Sequence, residues 1–372
     1  MPNSAPAVLI TGGNGYLGQR LAGRILSSSN YSVKLYLHAA TKQELSDKSR
    51  SLSTSFQEFE ESGRFSVLGG ELKSKAPFED LDASRIVQII HSAAVTRFNV
   101  EADLANEVNI EGARKVLSFA RRCPKLEAVQ FLSTVYASGL RTGLLKETRL
   151  EKAPQFSNHY ERSKWEAEEV LFDEYAEIPA NLIRIATLIA DDESGAVTQQ
   201  NAFHNTLKLL YYGLLSLFPG EKNTAVYFVT GNFVLDAIMR IFESKDKNQI
   251  YHLCHRQNES ANLEELLDTV FAAFEKYPDF KLRRVLKPLW SDAESFELLN
   301  QGLGSMSGGV LAQSVSSVAP FAKQLFANKD FCNENLRRIM PDYKAPDPLR
   351  LIESTSRYLA DSKWGRKLQD AK

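Results

Sequence analysis

The sequence predicts an α/β protein in which a doubly wound parallel sheet is followed by a smaller, mainly helical C-terminal lobe. Short apolar runs alternate with amphipathic helical stretches in the first half of the chain, which is typical of a parallel sheet covered by helices. A glycine-rich turn follows directly after the first apolar run. Beyond about Asp191 the alternation weakens, and a mainly helical pattern takes its place.

Six strands and three long helices account for the regular part of the pattern. The expected strands are Ala7 to Thr11, Val33 to Leu37, Ser66 to Leu68, Val87 to His91, Ala128 to Ser133 and Asn181 to Ile185. Three stretches carry apolar residues at three- and four-residue spacing, so each can lay one helical face on the sheet. These expected helices are Gly15 to Leu26, Leu104 to Arg121 and Tyr160 to Tyr175.

The weaker pattern of the second half predicts how the chain is divided. We expect a sheet domain at residues 1–190 and a substrate-binding lobe at residues 191–224 and 257–372. Two more strand candidates, Ala225 to Val229 and Ile250 to Leu253, flank a helix, so residues 225–256 are expected to rejoin the sheet. The glycine- and serine-rich run Gly302 to Val318 predicts a mobile loop that leads into or out of a helix, either a plain linker or a substrate lid. The apolar run Leu207 to Phe218 predicts either a buried helix or the wall of an apolar channel.

Composition excludes several classes of protein. The 372 residues are 43% hydrophobic and 24% charged, and 45 basic against 46 acidic residues give a net charge of −1. These values are ordinary for a folded domain, and they provide no global basic field for nucleic acid. The chain has no basic, apolar leader and no apolar run long enough to span a membrane. We therefore expect a cytoplasmic protein with no nucleic-acid partner and no membrane span.

The three cysteines predict neither a disulfide framework nor a metal site. Cys123, Cys254 and Cys332 are few and far apart, as in proteins of a reducing compartment. Cys254 lies between His252 and His255, but no second group of ligands follows at the spacing of a zinc site. No metal is predicted.

The glycine-rich turn predicts binding of a dinucleotide. Gly12, Gly15 and Gly18 follow the first strand and open the first helix. The first glycine permits the tight turn, the second lets a pyrophosphate approach the backbone, and the third lets helix and strand pack closely. The helix N-terminus supplies free N–H groups. This Rossmann-type arrangement assigns one set of residues to cofactor binding: Gly12, Asn14, Gly15, Tyr16, Leu17 and Gly18.

The end of the second strand predicts which dinucleotide binds. An acidic residue there would bind the ribose 2′-hydroxyl of NAD, but the run Lys34 to Lys42 contains no carboxylate. A 2′-phosphate is therefore tolerated, with His38 and Lys42 as candidate partners. We expect NADP(H), with NAD(H) as the alternative.

A tyrosine and a lysine four residues apart predict an acid–base pair. Tyr160 and Lys164 would project from one face of a helix about one turn apart. A neighbouring ammonium favours the phenolate, so we expect Lys164 to lower the pKa of Tyr160 toward the working pH. The same spacing also occurs by chance on helices that have no catalytic role.

Other candidates lie at the carboxyl ends of the predicted strands, where ligands bind in open parallel sheets. Ser133 and Thr134 end one strand, and Thr134 could hold a carbonyl oxygen beside Tyr160. Small residues, Ala93 and Ala94, leave room for the nicotinamide ribose. Asn109 lies in a helix, where an amide can bind either the site or the backbone. His91 is expected to be a satisfied core histidine.

With these motifs in order, the chain resembles the extended short-chain dehydrogenase/reductases. Within that superfamily it is similar to the thioester reductase and fatty acyl-CoA reductase branch, which has a male-sterility-type NAD-binding domain. The resemblance covers residues 7–255 and rests on these runs: Thr11 to Gly18, His91 to Ala94, Phe98-Asn99, Asn109 to Gly112, Ser133 to Tyr136, and Tyr160 with Lys164. Three departures are His38 in place of the branch's usual arginine, Glu71 in place of aspartate, and the run Arg184-Ile185-Ala186, which lacks the proline that commonly follows the arginine.

The resemblance implies a catalytic set of Thr134, Tyr160 and Lys164, and a cofactor site that includes Ser133, Asn109 and Lys164. The implied activity is NADPH-dependent hydride transfer to an acyl thioester, or to the derived aldehyde, with Tyr160 as general acid. Coenzyme A or a carrier protein would deliver the acyl group, and a homodimer is a family-level expectation. Alternatives are reduction of a small ketone or aldehyde, epimerisation of a nucleotide sugar, and a cofactor-sensing protein without catalysis.

Overall fold

The computed structural model describes residues 5–304 and 309–365. The strands are β1 (Ala7–Thr11), β2 (Ser32–His38), β3 (Phe65–Gly70), β4 (Ile86–His91), β5 (Ala128–Thr134), β6 (Gly143–Leu145), β7 (Ala180–Ile185), β8 (Thr187–Ala190), β9 (Leu217–Pro219), β10 (Ala225–Val226), β11 (Phe228–Thr230), β12 (Ile250–Leu253), β13 (Ala261–Asn262), β14 (Leu289–Ser291) and β15 (Lys329–Phe331). The helices are α1 (Tyr16–Ser28), α2 (Lys42–Glu61), α3 (Ala102–Ala105), α4 (Glu111–Arg121), α5 (His159–Glu174), α6 (Ala202–Tyr211), α7 (Gly231–Glu243), α8 (Leu263–Phe274), α9 (Pro278–Leu282), α10 (Ala293–Gly304), α11 (Val310–Ala322), α12 (Glu334–Ile339) and α13 (Pro348–Asp361).

Seven strands form one parallel sheet in the order β12-β7-β5-β4-β1-β2-β3. The chain runs outward from β1 to β3 and then returns to β4 on the other side of β1. This reversal opens a crevice at the carboxyl ends of β1 and β4, the position where open α/β sheets bind ligands. The predicted fold class, a doubly wound parallel sheet with a helical C-terminal region, is confirmed.

Helices bury both faces of the sheet, and the alternation of side chains along each strand sorts them between two cores. In β1, Val8 and Ile10 join the core beneath α1 and α7, whereas Ala7 and Leu9 join the core beneath α4 and α5. All of β1 is buried because neither face meets water. The strand sequence is therefore apolar throughout rather than alternating.

A third core lies in the C-terminal lobe. It is built mainly by side chains of α6, α8, α11 and α13, among them Leu207, Phe271, Val318 and Ile352. In the described ranges, 5–304 and 309–365, no helix has the length and apolar character needed to cross a bilayer.

Two expectations about the second half need correction. Residues 225–256 do not rejoin the sheet as a unit: β12 forms its edge, but β10 pairs with β13 and β11 pairs with β8 outside it. The run Gly302 to Val318 is mostly helical, because α10 ends at Gly304 and α11 begins at Val310. Residues 305–308 lie outside the described ranges. Burial of Val315 and Val318 in the third core favours helix despite the serine-rich composition.

Candidate active site

The carboxyl ends of β1 and β4 are tied together by two side chains. Thr11 and His91 are register partners, and Thr11 Oγ1 lies 2.8 Å from His91 Nδ1. Burial lowers the pKa of His91 to about 3, so the ring is neutral. His91 therefore holds the edge of the sheet in place, as a core histidine does.

The glycine turn forms a cradle that a side chain would fill. Gly12 has a φ of +72°, and a Cβ there would lie 2.7 Å from the backbone nitrogen of Ala93. A Cβ on Gly18 would lie 2.4 Å from the carbonyl oxygen of Gly12. Gly15 caps α1 without a side-chain hydrogen bond, so the first N–H groups of the helix stay available. The turn fits a pyrophosphate for these reasons.

The other residues of the turn face away from the cradle or into solvent. The Arg20 guanidinium lies 3.8 Å from the centre of the Tyr16 ring, and a Cβ on Gly231 would meet the Tyr16 hydroxyl at 1.9 Å. Leu17 packs against the core under α1, and Asn14 is exposed. The side chain of Tyr16 thus contacts Arg20 and the Gly231 backbone.

Charges of both signs surround the end of β2. His38 Nε2 lies 3.5 Å from Glu71 Oε1, and Lys48 Nζ donates to the main-chain oxygen of His38 at 2.7 Å. Lys42 is exposed at the start of α2. Glu44 accepts from Ala40 N at 2.9 Å. The run Lys34 to Lys42 contains no carboxylate, but Glu44 of α2 and Glu71, the residue after β3, lie close to it.

The three candidate catalytic residues meet beside the carboxyl end of β5. Thr134 ends the strand, and its side chain lies near the Tyr160 phenol. The same hydroxyl accepts from Tyr136 N at 3.2 Å and donates to Ile185 O at 3.3 Å. Lys164, one turn along α5, donates to Leu132 O at 2.9 Å. The hydroxyl, phenol and ammonium therefore lie in one buried region.

The electrostatics differ from the sequence-based expectation for Tyr160. Burial raises its pKa, and the nearby Thr134 hydroxyl offsets only part of that rise. Burial also lowers the pKa of Lys164 to about 8. The pKa of Tyr160 is raised rather than lowered, because the loss of hydration destabilises the phenolate more than the nearby polar groups stabilise it.

The side-chain amide of Asn109 forms its hydrogen bonds within the protein. Asn109 Oδ1 accepts from Val95 N at 2.8 Å, and its Nδ2 donates to Val95 O at 3.1 Å and to Ser163 Oγ at 2.9 Å. Asn109 sits in a π-helical turn, Asn106–Ile110, and ties the loop after β4 to α5. Its amide thus positions that loop, which contains Ala93 and Ala94.

Ser133 belongs to a buried ion-pair network. Its Oγ donates to Glu168 Oε1 at 2.5 Å. Arg184 holds the same carboxylate through contacts of 2.7 Å and 3.1 Å to Oε2, and both ion-pair side chains are nearly inaccessible. The Ser133 hydroxyl is therefore engaged beneath the site.

An apolar cavity adjoins the catalytic residues. Phe98 contacts the rings of Tyr160, Tyr136 and Phe321, with centroids 5.7 to 5.9 Å apart. The cavity has a volume of about 110 Å³ and is lined by side chains of both lobes. Its lining includes Phe98, Tyr136, Ala202, Leu207, Leu210, Phe218, Leu263, Phe321, Gln324 and Lys329. Part of the apolar run Leu207 to Phe218 thus forms its wall.

Sequence reasoning missed two polar residues that line this cavity, Gln324 and Lys329, and a third, Glu161, that Gln324 contacts. Glu161 and Lys329 are buried, and Gln324 bridges them by donating to Glu161 Oε2 at 2.9 Å and accepting from Lys329 Nζ at 2.6 Å. Lys329 also donates to Gly139 O at 2.5 Å. The only sequence signal was an acidic residue next to Tyr160. Within the described part of the chain, no group of three or more His, Cys, Asp or Glu side chains could hold a metal.

Comparison with known proteins agrees with this geometry. Residues 10–238 match the male sterility protein family of NAD-binding domains. Fatty acyl-CoA reductase 2, chloroplastic, of Arabidopsis thaliana is 28% identical over 159 residues, which cover 37% of this chain and 26% of that protein. The chain therefore spans about a quarter of the length of that relative.

Two solved structures share the fold. The terminal R domain of the myxalamid PKS-NRPS biosynthetic pathway matches with a TM-score of 0.73 and 18% identity, covering 98% of this chain and 92% of that domain. An archaeal thiolation-reductase di-domain matches with a TM-score of 0.71 and 17% identity, covering 96% of this chain and 76% of that chain. The match to the family model spans more than half of the 372 residues. The resemblance seen in the sequence is confirmed: this chain belongs to the male sterility protein family and has the fold of the extended short-chain dehydrogenase/reductases.

Proposed function

We propose that the chain is an oxidoreductase that uses NADPH to reduce an acyl thioester or the derived aldehyde, with Tyr160 as the proton donor. The observation that carries the proposal is that Thr134, Tyr160 and Lys164 are buried together next to an apolar cavity, whose lining residue Phe98 contacts the Tyr160 ring. Names of similar proteins, a fatty acyl-CoA reductase and a thiolation-reductase di-domain, support an acyl thioester as the substrate class.

The residues present fit a nicotinamide dinucleotide. Gly12, Gly15 and the N-terminus of α1 would hold the pyrophosphate, and the small side chains of Ala93 and Ala94 leave room at the nicotinamide end. Lys164 would face the ribose. When bound, the reduced nicotinamide supplies a hydride.

Tyr160 and Thr134 would complete the reaction on the oxygen side. Burial raises the pKa of Tyr160, so the phenol stays protonated at neutral pH and can donate its proton to the carbonyl oxygen. Thr134 Oγ would orient the same oxygen. Negative charge develops on that oxygen in the transition state, and donors fixed in a dry site stabilise it specifically.

The apolar cavity would hold the acyl chain. Phe98 contacts the Tyr160 ring and lines the cavity together with Tyr136, so the chain of a carbonyl compound held at Tyr160 would enter the cavity beside these rings. The thiol portion, on coenzyme A or a carrier protein, would stay outside. Because the cavity is about 110 Å³, we propose an acyl group of a few carbons in this conformation.

The choice of NADPH over NADH is part of the proposal. Lys42, Lys48 and His38 lie near the end of β2 and would meet a 2′-phosphate, although Lys48 is also paired with Glu44 at 2.6 Å. Glu71, 3.5 Å from His38, opposes this preference. A homodimer and a cytoplasmic location remain predictions.

A cofactor-oxidation screen tests the proposal. The purified chain is given NADPH or NADH with acyl-CoA thioesters, aldehydes and ketones, and Tyr160→Phe is the control. We expect oxidation of NADPH with thioesters or aldehydes that the variant loses. Turnover of ketones alone would favour the small-carbonyl reductase, and sugar epimerisation without net oxidation would favour the epimerase. NADPH binding without any turnover would indicate the cofactor-sensing alternative.

A further inference from the structure

A short surface segment of the C-terminal lobe, residues 281–289, combines cations with protruding leucines. Its sequence, Lys-Leu-Arg-Arg-Val-Leu-Lys-Pro-Leu, contains four basic residues and no acidic one. Leu282, Leu286 and Leu289 are 83%, 84% and 71% exposed. These exposures are the three largest among the large apolar side chains that the described ranges expose. Scattered exposed leucines are ordinary, but three in one basic segment mark an interaction site.

Part of the positive charge of this segment is not neutralised within the chain. Arg283 pairs with Asp279 at 3.0 Å, and Lys287 pairs with Asp268 at 2.8 Å. For Lys281 and Arg284, the described residues provide no side-chain hydrogen bond or ion pair, and both are exposed. Two free cations therefore flank Leu282, and the segment is complementary to an anionic surface.

The rest of the molecule holds this segment in place. The Arg283 guanidinium lies over the rings of Tyr211 and Tyr212, 4.8 and 4.9 Å from their centres. At the other end, β14 pairs with β9, and the Trp290 ring meets Phe218 at 5.6 Å. Phe218 also lines the apolar cavity. The segment that carries the leucines is thus anchored at both ends, and one of its anchors, Phe218, belongs to the cavity wall.

We propose that residues 281–289 dock the C-terminal lobe onto an anionic lipid surface. Leucines that are more than two-thirds exposed protrude from the protein, and a bilayer accepts protruding apolar side chains without a matching pocket. A protein partner would need a complementary pocket for each of them. Lys281 and Arg284 would meet the lipid phosphates, each adding to the attraction near the surface. This inference does not depend on the proposed reductase activity.

Sedimentation with lipid vesicles tests the proposal. The probes are vesicles of phosphatidylcholine alone and of phosphatidylcholine mixed with phosphatidylserine, at low and high salt. We expect the chain to bind the mixed vesicles at low salt and to lose most of that binding in high salt, because salt screens exposed charges. The triple variant L282S/L286S/L289S should bind at least about tenfold more weakly. K281Q/R284Q should bind more weakly only where phosphatidylserine is present.

Two controls keep the outcome interpretable. Leu144→Ser changes a leucine that is 55% exposed on β6, outside the segment, and should bind vesicles as the parent does. Circular dichroism of each variant should match the parent, because the altered side chains are exposed. Vesicle binding that is absent at low salt, or unchanged in the triple variant, would overturn the proposal. The proposal would also be overturned if the chain bound an acidic carrier protein but no vesicles, and if the triple variant lost that protein binding.

Discussion

Glu161 and Lys329 come from different lobes and are joined in one buried cluster by Gln324, which bonds to both. Burial raises the pKa of Glu161 and lowers that of Lys329, each opposed by the charge of the other. Glu161 is the residue after Tyr160, and Lys329 lines the apolar cavity. This cluster therefore fixes the C-terminal lobe against the start of α5, beside the proposed acid.

A double-mutant cycle should show that these two residues stabilise the protein as a pair. Lys329→Met removes a partner of Gln324 and the charge that opposes the raised pKa of Glu161, so it should cost about 1–3 kcal/mol of unfolding free energy. Glu161→Gln keeps the hydrogen-bonding shape, so the double variant E161Q/K329M should lose clearly less than the sum of the two single losses. Urea unfolding of the four proteins measures the cycle. Additive losses would show that the two side chains act independently.

Tyr160→Phe should reduce the turnover number by about 10²- to 10⁴-fold, because it removes only the proposed proton donor. Cofactor affinity should change little. Tyr136→Phe is the matched control, since its hydroxyl is 2.8 Å from Thr187 Oγ1 and has no assigned chemical role. Steady-state kinetics and NADPH binding distinguish the two variants. Equal losses in both would remove Tyr160 as the acid.

Gly12→Ala should weaken cofactor binding by at least about tenfold, because the added carbon would displace the glycine turn that we propose holds the pyrophosphate. An added Cβ would meet the backbone of Ala93 at 2.7 Å. Gly143→Ala is the control, because Gly143 has a similar φ of +78° but nothing within 4 Å of the added carbon. Both variants carry the backbone strain, whereas only the first disturbs the turn. Fluorescence titration with NADPH should therefore separate them, and equal affinities would contradict the assigned cradle.

The pH dependence of kcat/KM should show a loss of activity above about pH 8. Burial lowers the pKa of Lys164 to about 8, so its ammonium is present below that pH and is lost as the pH rises through it. Tyr160 should not contribute to this limb, because burial raises its pKa. The profile of kcat/KM reports the free enzyme. Lys329→Met should keep the limb; if the limb disappears in that variant, Lys329 rather than Lys164 controls it.

Ala202→Leu should shorten the range of accepted acyl chains. Ala202 lines the apolar cavity, and the larger side chain fills part of its volume of about 110 Å³. We expect KM to rise for the longer thioesters while the shortest substrate is unaffected, since only the longer chains reach that wall. A series of acyl-CoA thioesters of increasing length measures this. A uniform change across the series would show that the cavity does not hold the acyl chain.

The order of motifs predicted the sheet and the position of the crevice, because both depend on local pattern. Gly12 to Gly18 follow a strand and open a helix, and that context is visible in the sequence. Thr134 and Tyr160 could also be named, since each ends or begins a predicted element. The sequence predicted a strand at Ala225 to Val229, but it did not show that this run forms two short strands, β10 and β11, that pair outside the sheet.

The parts of the site that the sequence could not predict depend on contacts between distant residues. Glu71 comes within 3.5 Å of His38 only because β3 pairs with β2. Ser133 is engaged because Glu168 and Arg184 converge beneath it. The pKa of Tyr160 rises because burial depends on everything packed around the ring.

By itself, the sequence determined that a glycine turn, a terminal threonine and a tyrosine–lysine pair would lie at the carboxyl edge of a parallel sheet, because these features follow from the local order of strands and helices. Only the tertiary structure decided which polar groups are free and which are engaged, where the cavity lies, and the direction in which each buried pKa shifts. The physical reason is that desolvation and hydrogen bonding depend on residues far apart in the chain, such as Glu161 and Lys329, whose approach no local pattern encodes.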